Sequence, residues 1–190
     1  MKNKPFVLCV AAWVGGGKTT IVNELAKRLC NTRIIYFDSY RMDFLRQDYY
    51  QWSLNGNDYN EWRLEPIAED IEKLLQEDID YIILELPMGC ANKMIAGYID
   101  YTVFLDVPID VLLARGICRD FCRRSPHKKK LDNPLESLND YLTDYLTHLR
   151  VTVFNYIEAV KPYADFIVDG YQPVEKIADE IMNQLKIVRS

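Results

Sequence analysis

The segment Ala12-Trp13-Val14-Gly15-Gly16-Gly17-Lys18-Thr19-Thr20 constrains this chain more than any other. It follows an apolar run, Phe6–Ala12, and precedes a stretch of helical period in which Ile21, Val22, Leu25 and Leu29 share one face. A glycine-rich turn between a buried strand and a helix, closing on Lys-Thr, is the setting of a phosphate-binding loop. Glycines let backbone N–H groups turn inward around phosphate oxygens, and the helix N-terminus adds partial positive charge. Gly15, Gly16, Gly17, Lys18, Thr19 and Thr20 are therefore the expected nucleotide ligands. Lys18 would reach the β- and γ-phosphates, and the Thr19 hydroxyl would ligate Mg²⁺. The usual pattern opens on glycine where this chain has Ala12, so a left-handed backbone there would be costly.

That segment also disposes of a rival reading. Lys2 and Lys4 before Phe6–Val14 mimic a secretion signal, but the run ends in glycines and Lys18. Pro5–Gly17 is short of the ~20 residues a spanning helix needs, so no membrane partner is expected. With 23 basic and 28 acidic residues the net charge is −5, which argues against a nucleic-acid partner. The five cysteines (Cys9, Cys30, Cys90, Cys118 and Cys122) are odd in number and form no C-x-x-C pair. They are no disulfide framework, and a reducing, cytoplasmic setting is expected. Cys118, Cys122 and His127 lack the fourth ligand of a zinc set.

Five short runs have strand length: Phe6–Ala12, Arg33–Phe37, Tyr81–Leu86, Thr102–Asp106 and Phe166–Asp169. Their apolar residues are consecutive, as in strands covered on both faces of a parallel sheet. Helical periods separate them. One follows Pro66, with Ile67, Ile71, Leu74 and Leu75. Another opens at Pro108, and a long one over 136–161 stops at Pro162. The last holds Val174, Ile177, Ile181 and Leu185. The expectation is an α/β fold of three layers, α/β/α, with residues 1–190 forming one domain. The long 136–161 helix is expected to pack on the sheet, with a homo-oligomer contact as the alternative. Ser39–Glu65, dense in aromatics, and Ser125–Pro134 lack a clear period and are candidates for functional loops. Residues 115–130 hold seven basic side chains against one acid, Asp120, which points to an anionic ligand or a solvated face.

Taken in order, these segments resemble the uridine kinase and phosphoribulokinase branch of the P-loop kinases. Phe37-Asp38-Ser39-Tyr40-Arg41 is similar to that family's Asp-Ser-Phe-Tyr segment, and Leu84-Glu85 to its Leu-Glu-Gly. Phe104-Leu105-Asp106-Val107-Pro108-Ile109-Asp110 and Arg115-Gly116-Ile117-Cys118-Arg119-Asp120 resemble its Phe-Val-Asp-x-Pro-x-Asp and arginine-rich lid. Lys161-Pro162-Tyr163 and Ala164–Val168 resemble its closing segments. The resemblance implies a five-stranded parallel sheet of order 2-3-1-4-5, with a helical lid over about 115–135.

It also implies roles. Asp38, after the second strand, would orient an acceptor hydroxyl, take its proton and help hold Mg²⁺. Glu85 would hold the metal's water shell. Arg115 and Arg119, four apart on one helix face, would bind phosphates, with Arg119 and Arg123 stabilising the transferring phosphoryl. Asp38, Tyr40, Arg41 and Tyr59 would meet the acceptor, and Gly170–Pro173 would rim the base pocket. In one place the chain departs from the family. Where uridine kinases carry His-Pro-acid, it has Tyr59-Asn60-Glu61-Trp62-Arg63. The implied activity is ATP- and Mg²⁺-dependent transfer of the γ-phosphate to a small-molecule hydroxyl, a nucleoside or similar metabolite. The alternative is a nucleotide-binding switch without an acceptor, against which stands the absence of an Asn-Lys-x-Asp segment.

Overall fold

Phe6–Ala11 forms β1, the centre of a five-stranded parallel sheet of order β2-β3-β1-β4-β5, in a computed structural model that describes residues 4–40, 49–122 and 133–188. The other strands are β2 (Thr32–Tyr36), β3 (Tyr81–Glu85), β4 (Tyr101–Asp106) and β5 (Phe166–Asp169). Strand order and direction match the expectation. The boundaries of β1, β2, β3 and β4 differ from the expected runs by one residue at one end or both.

β1 shows why its apolar residues are consecutive. Val7, Cys9 and Ala11 face one core, with Ile82, Leu84, Phe104 and Tyr156. Leu8, Val10 and Ala12 face the other, with Val22, Leu25, Ile83, Val103 and Ile181. Each fully buried Leu or Ile contributes about 1.5–3 kcal/mol, so a strand buried on both faces anchors two layers at once. Helices α1 (Lys18–Arg28) and α8 (Val174–Val188) cover the second face. Helices α2 (Tyr49–Leu54), α3 (Glu65–Leu74), α4 (Lys93–Ala96) and α7 (Arg150–Val160) contribute to the first. The short α2 and α4 were not foreseen, since neither is long enough to show a period.

The basic segment begins in α5 (Ile109–Ile117), which passes into a π-helical turn, Cys118–Cys122. Its partner is α6 (Pro134–Asp144), capped by the Asn133 side chain. The two meet where Gly116 faces Tyr141. A methyl group on Gly116 would lie 2.6 Å from the Tyr141 hydroxyl. Phe121 also packs edge-on against Tyr141, with centroids 5.5 Å apart.

The expected long helix is interrupted. A π-helical turn, Tyr145–Leu149, separates α6 from α7. Only α7 packs on the core, through Thr152, Val153, Tyr156 and Val160, whereas α6 has no buried residue. The extra residue in a π turn rotates the apolar stripe, so one stripe in sequence is two faces in space. The expectation that the whole helix packs on the sheet is therefore corrected for its first half.

Parallel register brings the chemistry to one edge. Val10 pairs with Glu85, and Tyr36 also pairs with Glu85, so β1, β2 and β3 end level. Their carboxyl ends deliver the phosphate loop, Asp38 and Glu85 to the same side, the ligand side of an open α/β sheet.

Candidate active site

The loop from Ala12 to Gly17 turns at Gly15 and Gly17, both left-handed with φ of 81° and 90°. Gly17 is also the N-cap of α1 and makes no side-chain cap. The first N–H groups of the helix are thus left to a ligand, as anion sites require. Ala12 carries no strain: among the described residues only Asn31 and Asn57 are non-glycines with positive φ. Its methyl group is wholly buried beside Val22 and Leu25. Space is tight at Gly16 instead, where a methyl group would lie 2.7 Å from Ala12 Cβ and 2.9 Å from the Trp13 carbonyl oxygen.

Lys18, the first residue of α1, is 9% exposed. Its ammonium donates to the Ala12 carbonyl at 3.0 Å and the Trp13 carbonyl at 3.4 Å. Burial lowers its pKa below the ordinary 10.5, while the Glu85 and Asp38 carboxylates oppose that shift. The Thr19 hydroxyl donates to Glu85 Oε1 at 2.6 Å, and Glu85 is itself buried. Oxygen donors from Thr19, Glu85 and Asp38 at one edge suit a hard divalent cation. Among the described residues no cluster of three His, Cys, Asp or Glu side chains forms a cage. A site of this kind is completed by phosphate oxygens and water.

Asp38 sits in the 3-10 turn Phe37–Ser39 directly after β2 and is exposed. It lines a cleft of about 1030 Å³ together with the whole loop from Trp13 to Thr20, Glu85, Arg115 and Arg119. Arg115 is held over the loop. Its Nη2 donates to the Gly170 carbonyl at 3.3 Å, and its Nη1 is the atom nearest to where a Gly17 Cβ would stand. Gly170 approaches β4 so closely that a methyl group would overlap Val107. Its amide donates to Asp106 O at 2.8 Å. Arg119 makes two bonds to Asp120, at 2.9 and 2.8 Å. That carboxylate holds its pKa above the ordinary arginine value, with Tyr141 and Asp38 adding to the effect. Gly170, Tyr171 and Gln172 line the cleft beyond the loop.

The aromatic stretch divides. Tyr59 and Trp62 line the cleft with Phe37 and Tyr49. Trp52 is core, and Tyr50 packs on His148 with centroids 4.5 Å apart. Tyr40 is absent from the cleft wall, and its hydroxyl donates to Asp70 on α3 at 2.7 Å. Arg41 and Arg123 lie outside the described residues, as do Phe44, His127 and the Lys128–Lys130 run.

Two cleft aromatics escaped the sequence reading. Trp13 belongs to the loop, whose glycine pattern reports on backbone and not on this ring. Tyr156 fits the apolar stripe of its helix and carries no other mark in the sequence. Their rings meet edge to face at 4.9 Å, and the Tyr156 hydroxyl donates to the Pro87 carbonyl at 2.7 Å. Asp110, Val111 and Cys118 also line the cleft, and no motif marked them.

A glycine-rich anion cradle at the carboxyl edge of a 2-3-1-4-5 parallel sheet defines a P-loop kinase fold. A crystal structure of shikimate kinase from Bacteroides thetaiotaomicron has the same architecture, with a TM-score of 0.55 at 17% identity over 95% of this chain and 98% of that one. In sequence the chain is similar to uridine-cytidine kinase B of Dictyostelium discoideum, 26% identical, covering 95% of this chain and 83% of that protein. It is 29% identical to the uridine kinase of Brevibacillus brevis, covering 90% of this chain and 88% of that protein. No protein-family profile matches it. The resemblance to uridine kinases thus runs over most of the chain.

Proposed function

We propose that this protein is an ATP-dependent kinase that transfers the γ-phosphate to a hydroxyl of a small molecule of the nucleoside class. One observation carries the reading. A single cleft brings the anion cradle, Lys18, Asp38, Glu85 and two arginines together with an aromatic-walled compartment. At about 1030 Å³ it lies at the upper end for small-molecule sites, roomy enough for a donor and an acceptor.

In this reading the loop amides and Lys18 hold the β- and γ-phosphates. Thr19, with Glu85 and Asp38, would hold Mg²⁺, which supplies charge neutralisation on the phosphates when bound. Asp38 accepts the proton of the acceptor hydroxyl as its oxygen bonds to the γ-phosphorus. The bond from that phosphorus to the β,γ-bridging oxygen breaks, and ADP leaves with the electron pair. Arg115 and Arg119 stabilise the equatorial oxygens, and the segment of about 115–135 serves as a lid that excludes water. The residues form one domain. No nucleic acid or membrane takes part, and the setting is the cytoplasm. Cys9, Cys30, Cys90 and Cys118 are free thiols, and no described helix is long and apolar enough to cross a membrane.

The test is ADP release from Mg-ATP against a panel of nucleosides and other hydroxyl metabolites, with Asp38→Asn as control. Stimulation by one compound that disappears in Asp38→Asn is the expected result. A flat panel with wild-type protein that still binds ATP would overturn the kinase reading.

A further inference from the structure

Trp13 belongs to both ends of the cleft. Its backbone lies in the phosphate loop, where its carbonyl oxygen accepts from the Gly16 amide at 2.9 Å and from the Lys18 ammonium at 3.4 Å. Its ring lies at the aromatic end. It meets Tyr156 edge to face with centroids 4.9 Å apart, and Tyr49 at 6.4 Å. The same side chain packs against the core beneath that end and against Val107, Leu112 and Val153, a small cluster between α5 and α7. A phosphate loop works through its backbone and places no demand on the side chain at this position. Core packing does not account for the ring either, since it is only half-buried at the cleft wall.

We infer, on the kinase reading above, that Trp13 is the positioning residue that couples the two ends: filling the phosphate loop sets its indole, and the set indole raises affinity for the acceptor. The coupling follows from counting donors. An ammonium has three N–H groups. In the empty cleft two of them serve the Ala12 and Trp13 carbonyls, at 3.0 and 3.4 Å. Contact with both the β- and γ-phosphates takes two, so at least one carbonyl is released. The longer and weaker bond, to Trp13, is the one given up. The Trp13 carbonyl then keeps the Gly16 amide as its donor, and the loop peptide settles on it. Tyr156, behind the indole, does not give way: it is 2% exposed, and its hydroxyl is held on the Pro87 carbonyl at 2.7 Å. Close-packed side chains pass a displacement on rather than absorb it. The shift of the peptide therefore appears as a new, fixed position of the indole at the cleft wall. An acceptor that arrives afterwards no longer has to order that wall, which is positive coupling. By linkage the acceptor raises nucleotide affinity by the same factor.

Equilibrium dialysis of labelled uridine, with and without Mg²⁺ and the β,γ-imido analogue of ATP, reads the coupling without turnover. In wild-type protein the analogue should tighten uridine binding at least about fivefold. Trp13→Ala should bring that ratio within about twofold of unity. Trp13→Phe keeps a ring and should restore more than about half of the coupling on a logarithmic scale. Trp62→Ala is the control for the wall alone: it should weaken uridine in both conditions and leave the ratio intact. A general loss of packing in Trp13→Ala would also weaken both conditions together, so a merely structural role leaves the ratio unmoved. A wild-type ratio under about fivefold, a ratio that survives in Trp13→Ala, no restoration in Trp13→Phe, loss of the ratio in Trp62→Ala, or no uridine binding in either condition would each overturn the inference. Failure of the kinase reading shows separately, as coupled binding of uridine and the analogue with no ADP release from Mg-ATP.

Discussion

The two ends of the cleft are built in opposite ways. The phosphate end comes from consecutive residues, Trp13 to Thr20, on a loop pinned between β1 and α1. Three of its polar side chains are already engaged: Lys18 on two carbonyls, Thr19 on Glu85 and Arg115 on Gly170. The aromatic end is gathered from Phe37, Tyr49, Tyr59, Trp62 and Tyr156, more than a hundred residues apart at the extremes. Its rings touch one another, and the Tyr156 hydroxyl donates to the Pro87 carbonyl. A ligand common to a whole class is met by local backbone, which few sequences can spell. A ligand that distinguishes members is met by side chains that can change one at a time.

Substitutions should divide along the same line. Asp38 stands at the border, and Asp38→Asn should lower kcat by about 10³-fold while Mg-ATP still binds, as expected for loss of a general base. Comparable turnover in steady-state assays would remove Asp38 from that role. Lys18→Ala belongs to the phosphate end. It should cost about 10²–10³-fold in kcat/KM for ATP and weaken ATP in direct binding too. Unchanged ATP affinity would mean the cradle works through its amides alone. Trp62→Ala belongs to the aromatic end, and should raise the acceptor KM about tenfold with the ATP KM unmoved. Should both KM values rise together, the two ends are not separate compartments.

The smallest effect is a shift on the pH axis. A lysine with a lowered pKa loses its proton earlier as pH rises, and the neutral amine no longer attracts phosphate. The alkaline limb of kcat/KM for ATP should therefore fall below lysine's ordinary 10.5. Lys18→Arg should push that limb out of range, and a limb shared by both proteins would assign it to another group.

The same division explains what could be read from the chain. β1, β3 and the loop were legible because double-sided burial leaves consecutive apolar residues and the loop is contiguous. Sheet order came from resemblance alone, since spacing carries no order. The aromatic end was half legible. Tyr59 and Trp62 lay in a conspicuous stretch, but nothing local distinguished them from Trp52, which went to the core, or Tyr40, which went to Asp70. Tyr156 looked like every other apolar position of its helix, and the π turn at Tyr145–Leu149 left no mark in the hydrophobic stripe. Long-range placement decides these residues, and periodicity reports only their neighbours.

The bonds that fill the empty phosphate end act as a threshold on what enters it. The Lys18 ammonium is engaged by the Ala12 and Trp13 carbonyls, and the Thr19 hydroxyl by Glu85. A lone inorganic anion can meet the free amides of the loop and leave these bonds in place. A chain of phosphates bearing its own cation meets them together and repays every broken bond in one event. Engagement of Lys18 and Thr19 therefore favours a ligand long enough to reach both over a short anion held by the loop amides alone.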